Sequence, residues 1–271
     1  MKARADGLNP KAFCVINPGN PTGQVMSEED LTSIVKFCKE EKLMLLSDEV
    51  YQENIYGEGL KFTSMKKIVR DLGPAYDDFE LASFHSTSKG LIGECGRRGG
   101  YMELCGFDSS VEGEIFKLAC MGLCPNLDGQ IMTGLMISQP KPGEASYELF
   151  NQEQTGVYDS LKRKAKMLVD ALNDIDGFSC QTANGAMYAF PSIQLSKAAI
   201  AAAEAKGQAP DLFYCLALLE ETGICCVPGS GFHQKPGTYH FRTTFLPPED
   251  KLAEALVRFK AFHERFTAQY A

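Results

Sequence analysis

Residues 86 to 89 place two serine hydroxyls and one amine where an apolar run ends. Ser86-Thr87-Ser88-Lys89 follows Leu81 to Phe84, a run typical of a short buried strand, and ligands of open α/β sheets bind at the carboxyl ends of strands. A desolvated amine there is a nucleophile toward carbonyl groups, and hydroxyls with a following arginine suit a phosphate. Pyridoxal phosphate, an aldehyde that carries a phosphate, meets both requirements. For this stretch alone, a surface lysine in a serine-rich loop is an equal alternative.

Two earlier stretches also place polar side chains directly after an apolar run. Ala12 to Ile16 leads into a turn rich in Pro, Gly and Asn that contains Asn20, and Leu43 to Leu46 leads into Asp48 and Tyr51. Between them, a capping-box sequence at Ser27 to Asp30 and apolar residues at helical spacing predict a helix to about Glu41. Strand, helix and strand with short connections predict a βαβ unit and a parallel sheet.

The second half of the chain has a different pattern of shorter elements. After a helical stretch at 111–137 that Pro125 breaks, a turn at 140–143 precedes an amphipathic helix at about 157–172. Short strands and helices are predicted beyond it, at 178–180, 187–190, 212–221, 224–227, 239–245 and 249–266. We therefore expect an α/β domain with a mainly parallel sheet at 1–150 and a small α+β domain at 151–271.

Composition narrows the classes of function. The 271 residues carry a formal net charge of −8, which argues against a nucleic-acid footprint. No run of 18 apolar residues occurs and the first ten residues lack an apolar core, so neither a transmembrane helix nor a secretory signal is expected. Ten scattered cysteines and four histidines lack metal-ligand spacing. We expect reduced cysteines, no metal site and an intracellular protein, cytoplasmic or mitochondrial.

Five motifs, taken in order, resemble the class I/II aminotransferases, which are pyridoxal-phosphate enzymes of fold type I. The motifs are Asn17-Pro-Gly-Asn-Pro-Thr-Gly23, Ser47-Asp-Glu-Val-Tyr51, Ser86-Thr-Ser-Lys89, Gly96-Arg-Arg-Gly-Gly-Tyr101 and Phe241-Arg242. Within this family, the sequence around each motif is similar to that of alanine aminotransferases, as in Phe84-His-Ser-Thr-Ser-Lys-Gly90 and Val227-Pro-Gly-Ser-Gly-Phe232. The resemblance begins at about residue 12 and continues to the C-terminus.

The resemblance implies a fold, a reaction and partners. Residues 1–150 would be the C-terminal part of the large, cofactor-binding domain, and 151–271 the small domain. The reaction would transfer an amino group from L-alanine to 2-oxoglutarate, giving pyruvate and L-glutamate in a ping-pong cycle with pyridoxal phosphate. The complete protein would be a homodimer. Two alternatives remain open: another class I/II amino-acid aminotransferase, or a catalytically silent fragment.

The resemblance also implies roles for single residues in the cofactor site. Lys89 would form the Schiff base with the cofactor and then move the substrate proton, and Asp48 would pair with the pyridine nitrogen. Asn20 and Tyr51 would donate hydrogen bonds to the phenolate oxygen of the cofactor. The phosphate would be held by Ser86, Ser88 and Arg98.

The substrate carboxylate would be bound by Arg242, whose planar fork matches it, and by Asn20. Arg97 stands where the family pattern has an aromatic residue, which makes it a lesser candidate for the phosphate than Arg98. His85 is expected to be a hydrogen-bonded histidine beside the site.

Two further expectations come from the family pattern. Family members carry a second phosphate loop and a ring-stacking aromatic residue upstream of the first motif, so the chain is expected to be a C-terminal portion of such an enzyme. The Asn20–Pro21 peptide bond is expected to be cis, because the cis form costs only about 0.5–1 kcal/mol before proline and would aim Asn20 at the cofactor.

Overall fold

The computed structural model describes residues 2–271 as two compact units. The first unit comprises the residues up to Pro18 together with Val25–Gln152, and the second comprises Gly19–Gln24 together with Glu153–Ala271. The chain therefore passes from the first unit to the second and back within a single turn, between Pro18 and Val25.

The first unit is built on one four-stranded sheet. Its strands are β1 (Ala12–Ile16), β2 (Met44–Asp48), β3 (Leu81–Ser86) and β4 (Gly100–Cys105), and they lie side by side in that order. The first three strands are parallel, as the βαβ pattern predicts, and β4 runs antiparallel to β3. The helices of this unit are α1 (Lys2–Ala5), α2 (Glu28–Glu41), α3 (Met65–Asp71), α4 (Ser109–Cys120) and α5 (Leu127–Ile137).

Helix α2 shows why the sequence folds in this way. Ser27 and Asp30 form the predicted capping box, in which each side chain accepts a hydrogen bond from the backbone of the other. The apolar face of the helix buries Leu31, Val35 and Cys38 completely, in one core with apolar residues of β1, β2, β3 and α3. This core fixes the strands whose carboxyl ends carry the polar motifs.

Strand β4 was not predicted, because glycines such as those at its start are uncommon in strands. The glycines at its start are needed for close packing. A Cβ atom on Gly100 would lie 2.7 Å from the carbonyl oxygen of His85, and one on Gly99 would lie 2.4 Å from that of Gly129. The absence of side chains thus allows β4 to pair with β3 and α5 to pack close to it.

The second unit contains short strands covered by helices. The elements from residue 147 onward are α6 (Tyr147–Asn173), β5 (Phe178–Ser179), β6 (Tyr188–Ala189), β7 (Ser192–Ile193), α7 (Lys197–Ala205), α8 (Pro210–Thr222), β8 (Val227–Pro228), β9 (Phe241–Thr244) and α9 (Glu249–Gln269). Strand β9 lies between β6 and β8, antiparallel to both. The predicted strand at 224–227 was wrong for its first three residues, since only Val227 belongs to β8.

An aromatic core holds the second unit together. The ring of Phe178 contacts those of Phe241, Phe259 and Tyr214 at centroid distances of 5.6–6.4 Å, and Tyr214, Phe241 and Phe262 are each at most 1% exposed. Because Phe241 is the residue before Arg242, this core fixes the strand from which the arginine projects. In the described part of the chain, no helix is both long enough and apolar enough to cross a membrane.

Candidate active site

In the first unit, the ends of two neighbouring parallel strands carry predicted cofactor ligands. Asp48 is the last residue of β2 and lies opposite Phe84 of β3, so Ser86 ends β3 at the same edge of the sheet. The Oδ1 atom of Asp48 accepts a hydrogen bond from the backbone N–H of Val50 at 3.2 Å, which orients the carboxylate at the strand end. Tyr51, the predicted phenolate ligand, is 2% exposed.

The loop that carries Lys89 is closed at its base. Thr87 is completely buried and donates from both its backbone N–H (3.1 Å) and its Oγ1 (3.2 Å) to the carbonyl oxygen of Gly99. The Oγ of Ser86 accepts a hydrogen bond from the backbone N–H of Ser88 at 3.4 Å. Lys89 is half-buried, and no carboxylate among residues 2–271 forms an ion pair with it.

Arg97 and Arg98 differ in their partners. Arg97 is paired with Asp128 at 3.3 Å and with Glu94 at 3.7 Å. Arg98 forms no ion pair within the described residues, and its Nη1 donates only to the carbonyl oxygen of Cys95, at 3.2 Å. The Arg98 side chain is exposed and its charge is not neutralised, which is what a phosphate ligand requires.

Helix α5 holds the backbone of Arg98 in place. Arg98 has a left-handed conformation (φ 55°), and its carbonyl oxygen accepts a hydrogen bond from the Nδ2 of Asn126 at 3.1 Å. The Oδ1 of Asn126 also caps α5 by accepting from Gly129 at 2.6 Å. A Cβ atom on Gly129 would lie 2.8 Å from the Arg98 carbonyl oxygen, so a glycine there permits the close approach.

His85 departs from its prediction. Its Nδ1 is buried and has no hydrogen-bond partner within residues 2–271, and its ring instead contacts the ring of Tyr101 edge-on at 5.9 Å. Burial lowers the pKa of His85, against an opposing effect of Glu53 and Asp48. A cavity of about 270 Å³ adjoins His85 and Tyr101, and Glu49 forms part of the cavity wall. Burial raises the pKa of Glu49.

In the second unit, Asn20 and Arg242 lie in direct contact. The Asn20–Pro21 bond is cis, as predicted, and the Nη1 of Arg242 donates to the Oδ1 of Asn20 at 3.0 Å. Because a guanidinium can only donate, the amide of Asn20 presents its oxygen to Arg242. The Nδ2 of Asn20 is the remaining hydrogen-bonding group of this side chain, and it is a donor.

Two aromatic rings lie over the guanidinium of Arg242. Its Cζ lies 4.5 Å from the ring centroid of Tyr188 and 5.2 Å from that of Phe232, and its Nε is buried with no partner among residues 2–271. Neither ring was predicted as part of the site. The only sequence signal was the presence of Phe232 in a motif similar to the family.

The family is shown by the match of residues 1–259 to the model for aminotransferase class I and II. The chain belongs to this family. It is 55% identical over 99% of its length to "Alanine aminotransferase 2" of Panicum miliaceum, and 49% identical over its whole length to "Glutamate--glyoxylate aminotransferase 2" of Arabidopsis thaliana. It spans 56% of the length of each of these relatives.

A solved structure shows the same fold. The alanine aminotransferase from Pyrococcus furiosus superposes with a TM-score of 0.76 at 28% identity, and the match covers 94% of this chain and 58% of the other. The predicted fold class, a mainly parallel α/β sheet of fold type I, is thereby confirmed.

Proposed function

We propose that the chain is part of a pyridoxal-phosphate-dependent alanine aminotransferase, which transfers the amino group of L-alanine to 2-oxoglutarate. The similarity over nearly the whole chain to a protein named alanine aminotransferase carries this proposal. The relative named for glutamate and glyoxylate is similar to nearly the same degree, so glyoxylate is the acceptor that a test must include.

The donor groups of the first unit fit the cofactor. Ser86, Ser88 and the unneutralised Arg98 offer hydroxyls and a cation to a phosphate, and the Asp48 carboxylate suits a protonated pyridine nitrogen. Lys89 would supply the amine for the aldehyde, and Tyr51 would supply a donor for the phenolate oxygen. When bound, pyridoxal phosphate supplies an electron sink that stabilises negative charge at the substrate Cα.

The chain's own residues then have defined tasks. Lys89 takes the proton from the substrate Cα and gives it back later in the same amino transfer. No carboxylate of the described structure forms an ion pair with its amine. Arg242 binds the α-carboxylate with its planar fork, and Asn20 holds that fork through the 3.0 Å hydrogen bond.

Domain roles, assembly and location are part of the same proposal. Residues 1–150 would belong to the large cofactor-binding domain and 151–271 to the small domain, in line with the two compact units. The complete protein would be a homodimer. Free cysteines in the described chain accord with an intracellular location, either cytoplasmic or mitochondrial.

The cofactor site is tested by chemical trapping. The purified chain is incubated with pyridoxal phosphate and reduced with borohydride, and the added mass is located by peptide mass spectrometry. We expect the label at Lys89, and its loss in Lys89→Arg. Lys66, which is half-buried and paired with Glu103, serves as the matched lysine: Lys66→Arg should leave labelling unchanged. Labelling spread equally over surface lysines would contradict the cofactor site.

The substrates are tested by a panel of donors and acceptors. A form of the chain extended at its N-terminus to the length of its relatives is assayed with alanine or glutamate as donor and 2-oxoglutarate, pyruvate or glyoxylate as acceptor. We expect the highest kcat/KM for alanine with 2-oxoglutarate. A preference for glyoxylate over 2-oxoglutarate would instead place the protein with the glutamate–glyoxylate enzymes.

A further inference from the structure

A buried carboxylate in the second unit accepts hydrogen bonds from the segment that follows β8. Asp211, the second residue of α8, is 1% exposed. Its Oδ2 accepts hydrogen bonds from the backbone N–H of Ser230 at 2.6 Å and from the Nε2 of Gln234 at 2.9 Å. Its Oδ1 is buried with no partner in the described residues. Burying a carboxylate is costly, and Asp211 does not cap α8, whose N-terminus has no side-chain cap.

The two bonds of Asp211 fix both ends of one short segment. Ser230 lies in the 3₁₀ turn Gly229–Phe232, and Gln234 lies just after it. The Oε1 of Gln234 is 2.8 Å from the Nδ1 of His240, and since an amide oxygen only accepts, this nitrogen carries the hydrogen. Asp211 thus orients Gln234, and Gln234 orients the His240 ring.

The same segment places the ring of Phe232 against Arg242. The His240 ring stacks on Phe190 at 5.0 Å with an interplanar angle of 3°, and Phe190 contacts Phe232 edge-on at 5.7 Å. The ring of Phe232, the last residue of the turn, lies 5.2 Å from the Cζ of Arg242, and the ring of Tyr188 lies 4.5 Å from it.

Gly229 shows how tightly the segment is packed. Its N–H donates to the carbonyl oxygen of His240 at 2.7 Å, and a Cβ atom there would lie 2.2 Å from the Oε1 of Gln234. The turn therefore has little freedom to shift, so the bonds to Asp211 are transmitted to the position of Phe232.

We propose that Asp211 is a positioning residue for Arg242: through Ser230 and Gln234 it fixes the turn and the ring stack that hold the guanidinium against the rings of Phe232 and Tyr188. A free arginine side chain loses rotamer entropy on binding, and a guanidinium that is already held in place loses less. This inference rests on the proposed role of Arg242 as the carboxylate ligand.

The test observes Arg242 directly and does not require turnover. In the ¹⁵N-labelled 271-residue chain, the Nε–H resonance of Arg242 is assigned by its loss in Arg242→Lys. We expect ring currents of Phe232 and Tyr188 to displace it from the positions of exposed arginines. In Asp211→Asn and in Gln234→Met it should move toward those positions, and the dissociation constant for pyruvate should rise about tenfold, which is about 1.4 kcal/mol.

The matched control is Asp250→Asn, which removes an exposed acid from the first turn of α9 as Asp211→Asn removes one from α8. It should change neither the resonance nor pyruvate binding. A resonance that stays in place in both Asp211→Asn and Gln234→Met, even with a lowered Tm, would overturn the proposal. A resonance that moves in these variants while pyruvate fails to perturb it in the unaltered chain would support the positioning role and overturn the carboxylate role of Arg242.

Discussion

Arg97 and Arg98 are adjacent, yet their side chains meet different electrostatic surroundings. The charge of Arg97 is balanced by Glu94 and Asp128, while no carboxylate of the described chain pairs with Arg98. A phosphate gains most from a cation that is not already paired. The neighbouring carboxylates therefore separate two candidates that the sequence presents side by side.

This difference predicts opposite results for two matched substitutions. Arg98→Gln should weaken pyridoxal phosphate binding by roughly tenfold or more, because a charge-assisted hydrogen bond contributes about 1.5–3 kcal/mol. Arg97→Gln should change it by less than about twofold, since exposed pairs contribute about 0–1 kcal/mol. Titration followed by cofactor absorbance measures both. A larger effect of Arg97→Gln would reverse the assignment.

Arg242→Lys tests the carboxylate ligand. Lysine keeps the charge but loses the planar fork and its contacts with the rings of Tyr188 and Phe232. In the N-terminally extended form we expect kcat/KM to fall roughly 10- to 100-fold for alanine and for glutamate alike, with cofactor absorbance retained. A loss confined to glutamate would mean that Arg242 binds the distal carboxylate instead.

Residue types predicted the chemistry of the site better than its geometry. A lysine and hydroxyls after an apolar run indicate a cofactor without any structure, and the contact between Asn20 and Arg242 accords with their predicted shared role at the substrate. The rings on Arg242 could not be predicted, because Tyr188 and Phe232 reach it only through the pairing of β6, β8 and β9. Likewise, nothing in the sequence indicates that Asp211 bonds to Ser230.

At the scale of elements, the end of α2 offers a stability test. Lys42 caps this helix in a left-handed conformation (φ 52°, ψ 52°) and is exposed. Lys42→Gly should raise the free energy of unfolding by about 0.5–1 kcal/mol, because glycine adopts this conformation without a Cβ clash. Lys36→Gly, at an exposed position inside the same helix, should lower it by about 1 kcal/mol. Chemical denaturation measures both, and equal signs would contradict the cap geometry.

Helix α9 introduces a dependence of stability on pH. His263 is 6% exposed, its Nε2 lies 3.0 Å from the carbonyl oxygen of Asp176, and its Nδ1 lies 3.1 Å from the hydroxyl of Tyr214. Burial lowers the pKa of His263 below its ordinary value near 6.5, against smaller opposing effects of Asp176 and Glu264. The unfolded chain therefore binds more protons, and the stability due to His263 is lost as the pH falls below about 6.5.

His263→Gln should flatten the dependence of unfolding free energy on pH between about 6.5 and 5. The control is His233→Gln, at an exposed position, which should leave the slope unchanged. Since burial lowers the pKa of His85 and His240 too, only the difference between variant and unaltered chain isolates His263. If His263→Gln left the slope of unfolding free energy against pH unchanged, this histidine would not be the source of the pH dependence.

Elements with a strong hydrophobic periodicity were predicted well. Elements that depend on contacts between residues distant in the sequence were not. The helix predicted to about Glu41 ends there, and the stretch broken at Pro125 forms α4 and α5. Strand β4 depends on two glycines, because a side chain at either would clash with the backbone of His85 or Gly129. Residues 224–226 are an apolar run that continues to Val227, but only Val227 and Pro228 pair with β9.

At the scale of the whole molecule, apolar side chains lie exposed on two helices. Helix α4 buries none of its residues, and Phe116, Leu118 and Met121 are each more than 65% exposed. On α5, Leu127 and Leu135 are also exposed. Apolar surface of this kind is typical of an interface and accords with the proposed homodimer.

We therefore predict that the 271-residue chain alone gives no aminotransferase turnover. It spans 56% of the length of its matched relatives, and the half-buried Lys89 and exposed Arg98 would hold the cofactor loosely. Small misplacements of reacting groups cost large factors in rate. A coupled assay of pyruvate formation with saturating pyridoxal phosphate, run beside the N-terminally extended form, measures this. Equal activity in the two forms would show that this part of the enzyme is sufficient.

The six residues Gly19–Gln24 have a consequence for how such proteins can diversify. They belong to the second unit although more than a hundred residues of the first unit follow them, and Gly23 fits there with φ 68° and a carbonyl that accepts from Gly185 at 2.8 Å. A single genetic crossover near residue 152 would therefore join a foreign C-terminal part to the old turn and separate Asn20 from its arginine. Exchanging the whole second unit takes three crossovers, at 18/19, 24/25 and 152/153, so Asn20 and Arg242 are expected to be inherited together.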